Sequence, residues 1–353
     1  MVHLWVRAES RRDESRVGLT PDGARDLIRR GFRVSVEDSP HRVIPTAEYR
    51  AAGALVVASG SWPEAPPDAI ILGLDELPED GSALPHRHIM FAHAFDAQPA
   101  GQALLRRFRA GGGRLYDLEY LLDEQGRRLA AFGYWAGYAG AAVSLKSWAA
   151  QQRGGICGPV GACADKAALA AGLRAELDAT GQPRPRAIVI GARGRVGTGA
   201  ADLCAEMGVR VTKWDVDETA HGGPFPEILL HGIFLNCILA QPGCPVFVPE
   251  TAVNPGRALR VIGDIACDPA SEFNPVRVYD RPTSWDAPAR RVAENPALDV
   301  VAIDNLPLLL PRESSLDYAA QLLPALRELD TIDAGAWGRA AAIFDTHLEG
   351  LQP

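Results

Sequence analysis

Lysine is almost missing from this chain. Its 353 residues carry 36 basic side chains, yet only Lys146, Lys166 and Lys213 are lysines, so the N-terminal third has none. Arginine stays charged at any working pH and cannot serve as an amine base. A proton acceptor in the N-terminal half therefore has to be a histidine, a carboxylate or a tyrosine. Long apolar runs are missing as well. No stretch approaches membrane-spanning length, and Met1–Arg7 is strand-like rather than a secretory leader, which gives the expectation of a cytoplasmic protein. The six cysteines (Cys157, Cys163, Cys204, Cys237, Cys244 and Cys267) form no CxxC pair and read as reduced structural thiols. Positive charge is not in excess: a net charge of −8 argues against a nucleic-acid partner. No metal-ligand spacing, nucleophile elbow or phosphate-binding P-loop occurs, and nothing in the sequence points to an obligate protein partner.

What is present is an ordinary globular composition, 47% hydrophobic and 23% charged, in a chain long enough for two domains with substantial cores. One stretch stands out. The apolar, β-branched run Arg186–Ile190 stops at Gly191-Ala192-Arg193-Gly194-Arg195-Val196-Gly197, and a helix-like stretch then runs to Glu206. Strand, glycine turn and helix bring backbone N–H groups and a helix N-terminus onto a pyrophosphate. A second apolar run, Val209–Trp214, ends in Asp215, about twenty residues past the glycines, where a dinucleotide fold needs an acid for the ribose hydroxyls. Strict G-x-G-x-x-G spacing would fall on 192, 194 and 197, and residue 192 is alanine. Alanine can still make the tight turn, and Gly194 still admits the phosphates. Asp215 favours NAD over NADP, because a carboxylate repels a 2′-phosphate; Arg193 and Arg195 pull slightly the other way.

Strand-like runs at His3–Arg7, Phe32–Glu37, Ala69–Leu74, Arg87–Ala92 and Arg114–Tyr116 alternate with helix signals from Pro21 (after Thr20 as N-cap), from Thr46 and over Gln98–Ala110. Such alternation predicts a doubly wound parallel sheet. Further helices are expected over about 136–153 and 164–180. Later strands are expected at Ile233–Ile238, Ala258–Ile265 and Leu298–Ile303, and two last helices at Leu316–Glu328 and Ala334–Glu349. The expected fold is therefore α/β, two Rossmann-like doubly wound domains with a cleft between them. Residues 1–131 plus 314–353 form a substrate-side domain and 132–313 an NAD-binding domain.

Ligands of such sheets sit beyond the carboxyl ends of the strands, so the residues there are the ones to weigh. His93 ends one strand, and an imidazole there suits proton transfer near neutrality; a packed or exposed histidine is the plainer reading. Asp75 and Glu76 follow Ala69–Leu74 and can divide acid and base work, or serve as helix cap and solvated charge. Arg11, Arg12, Glu14 and Arg16 crowd the loop after the first strand, either as an arginine fork for a substrate carboxylate or as a charged loop. Arg127 and Arg128 allow the same two readings. Asp304, Arg312 and Glu313 follow the last strand, with cofactor contact or helix capping both open. The residues alone point to an NAD-linked redox enzyme for a small, carboxylate-bearing substrate.

The motifs Arg7-Ala8-Glu9, Arg16-Val17-Gly18-Leu19-Thr20-Pro21, Phe91-Ala92-His93, Leu115–Glu119, Gln125–Arg128, Gly191–Arg195, Lys213-Trp214-Asp215, Gly222–Phe225, Phe234–Ile238, Ile303–Pro307 and Pro311-Arg312-Glu313 run nearly end to end. In them the chain resembles the NAD-dependent, lysine-forming saccharopine dehydrogenases and, more distantly, the alanine dehydrogenase and transhydrogenase group. The resemblance implies oxidation of a secondary amine: hydride leaves the carbon α to a carboxylate, the imine takes up water, and an amine and a 2-oxo acid separate. It implies His93 as acid–base histidine, with Asp75 at the position of its catalytic partner. It further implies Arg16, with Arg11, Glu76, Glu119, Arg127 and Arg128, around the substrate, and Gly191, Gly194, Arg195, Val196, Gly197, Asp215, Cys237, Asp304 and Leu306 around NAD. The chain departs from the pattern at three places: Asp75 stands where the family has a lysine, Asp96 where a basic residue is common, and His221 where arginine is usual. A carboxylate in place of an ammonium moves the reference pKa from about 10.4 to about 3.9. The departures motivate a specialised relative for a hydrazine-linked or other amino-acid conjugate. Two further readings remain, a primary-amine dehydrogenase and a catalytically silent NAD-binding protein.

Overall fold

The structure is a computed structural model that describes residues 1–11, 13–75, 77–95 and 99–351. The chain divides into two compact units, Met1–Ala131 with Pro311–Pro353, and Phe132–Leu310.

In the first unit β1 (His3–Val6) leads through a loop to α1 (Pro21–Arg29). Thr20 caps that helix by accepting the Gly23 N–H at 3.1 Å, and Pro21 opens it where no amide is needed. Then follow β2 (Arg33–Glu37), α2 (Thr46–Ala51), β3 (Leu55–Val57), β4 (Ile70–Leu72), β5 (Arg87–Met90), α3 (Pro99–Gly111) and β6 (Arg114–Asp117). The strands line up as β3-β2-β1-β4-β5-β6, all parallel. The order reverses between β1 and β4, so the carboxyl ends of these two strands flank the point where doubly wound sheets take ligands. Their residues are buried on both faces, as a sheet covered on both sides demands.

The second unit opens with α4 (Gly133–Gln152) and α5 (Lys166–Asp178), then β7 (Arg186–Ile190), α6 (Arg195–Glu206), β8 (Arg210–Trp214), the single turn α7 (Val216–Thr219), β9 (Ile233–Asn236), β10 (Val261–Asp264), β11 (Arg290–Glu294) and β12 (Ala297–Val301). The order is β11-β12-β10-β9-β7-β8, parallel except for the antiparallel edge strand β11. Here the reversal lies between β7 and β9. α4 lies against α6 closely enough that a Cβ on Gly137 would sit 1.8 Å from the Val196 carbonyl oxygen, and one on Gly199 would sit 1.9 Å from that of Tyr134. This explains the small residues in both helices.

The last two helices, α8 (Pro311–Leu326) and α9 (Gly335–Glu349), belong to the first unit. α9 covers β6, with Trp337 edge-on to Tyr116 at 5.9 Å and Phe344 on Phe108 at 5.6 Å. The Trp337 indole N–H donates to the Ala325 carbonyl at 2.8 Å, which ties α9 to α8. α8 starts at Pro311, a turn before the expected Leu316, because proline suits a first helical position. Two strands escape the sequence patterns. β3 has only three residues, and β11 carries two arginines and a glutamate on an edge where a charged strand discourages further pairing.

Gly199→Ala is expected to overpack the α4–α6 crossing and to cost roughly 1–3 kcal/mol, read as a lowered urea midpoint. An unchanged midpoint would mean that the two helices can separate at no cost.

Candidate active site

At the ligand edge of the first unit, β1 runs into Arg7, which is 1% exposed. A desolvated guanidinium needs a countercharge and acceptors. Glu9 supplies the charge at 2.9 Å, and the carbonyls of Ala8 and Asp75 accept from it. Glu9 in turn accepts the amides of Leu74 at 2.8 Å and Asp75 at 3.1 Å. The loop leaving β4 is thus held to the loop leaving β1 by one ion pair. Gly73 makes room for it, since a Cβ there would lie 2.2 Å from Arg7 Nε.

Asp75 is buried, and its carboxylate faces Arg11 Nε at 3.2 Å. Arg11 also holds Asp13 through two nitrogens. Arg16 is buried with Glu14, to which it donates from its backbone N–H and from Nε, each at 2.9 Å, and from Nη2. His93 follows β5 with a φ of 45°. Left-handed backbone is uncommon for a residue with a side chain and is typical of functional loops. Its ring is half-exposed, with Nδ1 3.7 Å from Glu119 Oε2; the other oxygen of Glu119 accepts from Arg128 at 3.0 Å. His93, Glu119 and Arg128 therefore form one polar chain. Arg127 does not join it: it is turned to solvent and bonded to Asp123 within its own loop. Glu76, Arg12 and Asp96 lie outside the described residues.

Beneath this chain sits Asp117, the last residue of β6, fully buried. Its carboxylate accepts the Glu119 N–H at 2.9 Å and caps the short turn Leu118–Tyr120. Burial pushes its pKa up to about 6.

At the ligand edge of the second unit the glycines have distinct tasks. Gly191 has a φ of 87°, and a Cβ there would strike Ile238 at 2.6 Å. Gly197 sits where a Cβ would be 2.1 Å from the Gly191 carbonyl, so only glycine lets α6 start beneath the turn. Gly194, by contrast, faces open space: nothing but that same carbonyl, at 3.5 Å, would meet its Cβ. It is the N-cap of α6, with no side-chain cap, which leaves the first amides of the helix for an anion. Arg195 and Val196 are the first two residues of that helix. Asp215 follows β8 and accepts the Arg193 N–H of the turn at 2.8 Å, while capping α7 through Val216 N–H at 2.9 Å. An open Gly194, a helix start with no side-chain cap and a carboxylate fixed beside the turn fit a dinucleotide's pyrophosphate and ribose.

The other cofactor candidates are placed less directly. The Cys237 thiol is buried, and burial pushes its pKa well above the usual value, so only its backbone is available to a ligand. Asn236 before it donates to Asp264 at 2.9 Å, and Tyr279 donates to the same carboxylate at 2.8 Å, which ties the ends of β9 and β10. Asp304 is exposed just past β12, whereas the Leu306 side chain is part of the core.

Comparisons with known proteins identify the family and the fold. Residues 5–139 match the family model "Alanine dehydrogenase/PNT, N-terminal domain". The saccharopine dehydrogenase [NAD(+), L-lysine-forming] of Schizosaccharomyces pombe is 42% identical, with 99% of each chain covered. The protein of the same name from Yarrowia lipolytica is 43% identical, with 98% of each chain covered. Among solved structures an L-alanine dehydrogenase superposes with a TM-score of 0.71 at 18% identity, covering 99% of this chain and all of that one, a likeness of fold. The chain belongs to the saccharopine dehydrogenase family. Within it, the exit of β4 here carries an arginine–aspartate pair, Arg11 with Asp75. His221 is exposed and stacks edge-on with Phe225 at 5.5 Å.

For three residues of this family member's first ligand edge the sequence gives a place in a motif or a charged loop but no role: Glu9 as the partner of Arg7, Glu14 as the partner of Arg16, and Asp117. The first two leave a signal, an acid two residues from an arginine beside a strand end. Asp117 leaves none, because a strand-ending aspartate is common. Replacing Glu9 by alanine strands Arg7 without its countercharge and is expected to cost roughly 3–5 kcal/mol. A urea midpoint equal to wild type would remove the pair from its role as the clamp between β1 and β4.

Proposed function

We propose that this chain is an NAD-dependent oxidoreductase that cleaves saccharopine to lysine and 2-oxoglutarate, or joins them in reverse. The observation that carries this reading is the His93–Glu119–Arg128 chain at the ligand edge of the first unit, in a protein similar to lysine-forming saccharopine dehydrogenases along its whole length. The first unit is the substrate-side domain and the second the NAD-binding domain. Glycines 191, 194 and 197, the α6 amides of Arg195 and Val196, the backbone around Cys237, Asp304 and Leu306, and the Asp215 carboxylate hold the cofactor. Bound there, NAD supplies the acceptor for a hydride.

The substrate's secondary amine loses hydride from the carbon α to a carboxylate and a proton from nitrogen. Arg16 and Arg128 orient the substrate carboxylates, and Glu119 turns the His93 ring by facing Nδ1. The opposite nitrogen, Nε2, takes the amine proton as C–N becomes C=N. Water then adds to the imine carbon. His93 returns the amine proton to the imine nitrogen as water adds, takes a proton from that water and passes it to nitrogen; the carbinol O–H proton returns to His93 as the C–N bond breaks, so that lysine leaves and the carbon remains as a 2-oxo acid. Asp75 acts through Arg11, to which it is paired, and Arg11 cannot shuttle protons at working pH. The enzyme works in the cytoplasm, in keeping with six cysteines that form no CxxC pair.

A second reading is favoured by the Arg11–Asp75 pair: a specialised relative whose substrate carries a further basic nitrogen, as a hydrazine-linked conjugate does, facing Asp75. NADH absorbance with saccharopine separates the two. Turnover on the order of 1–1000 per second supports the first, and none, with NAD bound, leaves the second.

His93→Gln is expected to lower kcat by about 100-fold or more while leaving NAD affinity at the wild-type value; undiminished kcat would take His93 out of the chemistry. Asp215→Ala is expected to weaken NAD binding by roughly 10- to 100-fold, measured by NADH fluorescence titration. Unchanged affinity would assign the ribose to other groups.

A further inference from the structure

The sheet register places Asp117 opposite Met90, so its side chain lies beside the exit of β5 that becomes Ala92 and His93. Oδ1 is committed to the Glu119 amide. Oδ2 is buried with no aligned hydrogen-bond donor, although the carboxylate feels the Ala92 amide and the His93 ring from the β5 side. From α8 the Tyr318 hydroxyl lies within electrostatic reach of it, and of Arg16 and Arg128. A buried carboxylate with one oxygen left over is costly, and asparagine would fill the same capping position without a charge.

The geometry points to Asp117 as a positioning residue of the acid–base pair, fixing the Glu119 backbone from below and presenting a countercharge to His93 when that ring takes up a proton. This rests on the reading of His93 as the acid–base group. One carboxylate serves both partners: it holds Glu119, whose side chain faces Nδ1, and it lies under the backbone that delivers the ring. No contact of Asp117 with substrate is required.

Desolvation raises its pKa to about 6; the Glu119 carboxylate adds to this, and the amides of Glu119 and Ala92 and the His93 ring oppose it. A carboxyl raised in this way stabilises the fold when protonated, and that contribution is lost as pH rises through about 6. At pH 8 the charge is therefore a burden on stability, so a purely structural cap would be served at least as well by asparagine.

The test uses the full chain with Asp117→Asn and Asp117→Ala and reads the urea midpoint at pH 8, kcat/KM for saccharopine against pH, and the histidine-ring 15N spectrum. The His93 signal is assigned by its loss in His93→Gln. Asp117→Asn should show a midpoint at or above wild type, with the acidic limb of kcat/KM moved down by roughly half a pH unit, because the protonated ring loses a countercharge. Asp117→Ala should lose kcat by about tenfold or more, keep its KM for NAD, and lose the single Nδ1–H tautomer that the asparagine variant retains. Wild-type pH profiles and tautomer in both variants would overturn the proposal. So would an asparagine variant that is destabilised with its pH profile unmoved, which is the mark of a structural cap. If the wild-type protein does not oxidise saccharopine, the functional reading fails by itself, and the ring spectra still decide whether Asp117 sets the His93 tautomer.

Discussion

The first unit depends on one buried positive charge. Arg7 stands where the central strand leaves the sheet, and no water reaches it. Its neighbours answer most of that desolvation. Glu9 brings the opposite charge, two carbonyls accept from the terminal nitrogens, and Gly73 withholds a side chain. Because Glu9 also takes the amides of Leu74 and Asp75, the electrostatic requirement of one residue fixes the backbone on both sides of the switch point. The Arg11–Asp75 pair is then built on a backbone that is already held. An ion pair of this kind adds little net stability over an apolar substitute; its value here lies in geometry.

The second unit reaches the same strand reversal by another route. Its ligand edge is shaped by the absence of atoms. Gly137 and Gly199 let two helices touch backbone to backbone, and Gly191 and Gly197 let a turn fold under a helix start. Charge enters late, through Asp215, which is already bonded to the Arg193 amide of the turn. A carboxylate held in place before a ligand arrives loses little freedom on binding it. The two units thus share an architecture and differ in what makes it rigid.

Much of this was legible in the sequence. Alternating apolar runs gave both doubly wound sheets, and Thr20-Pro21 marked a helix start that the structure keeps. The glycine turn followed by an acid at the next strand end placed Gly191, Gly194, Gly197 and Asp215 together, because those features are set by local chain geometry. The missed strands, β3 and β11, are short or charged, and only their neighbours in the sheet make them strands. At the site, a residue's position at a strand end could be read, but not its partner. Arg16 and Arg127 look alike in sequence, yet one is buried on Glu14 and the other bonds its own loop. Pairing across segments far apart in the chain, such as Arg7 with the Asp75 carbonyl, carries no periodic signal.

The scarcity of lysine has a chemical meaning once the fold is divided. All three lysines lie in the second unit, where Lys146 and Lys166 are paired with Glu176 and Glu206. The unit that carries His93 has none. A reaction that passes through an imine and ends in a 2-oxo acid exposes an electrophilic carbon twice. An amine that reaches that carbon can add to it as water does. The first unit offers no lysine side chain for such an addition.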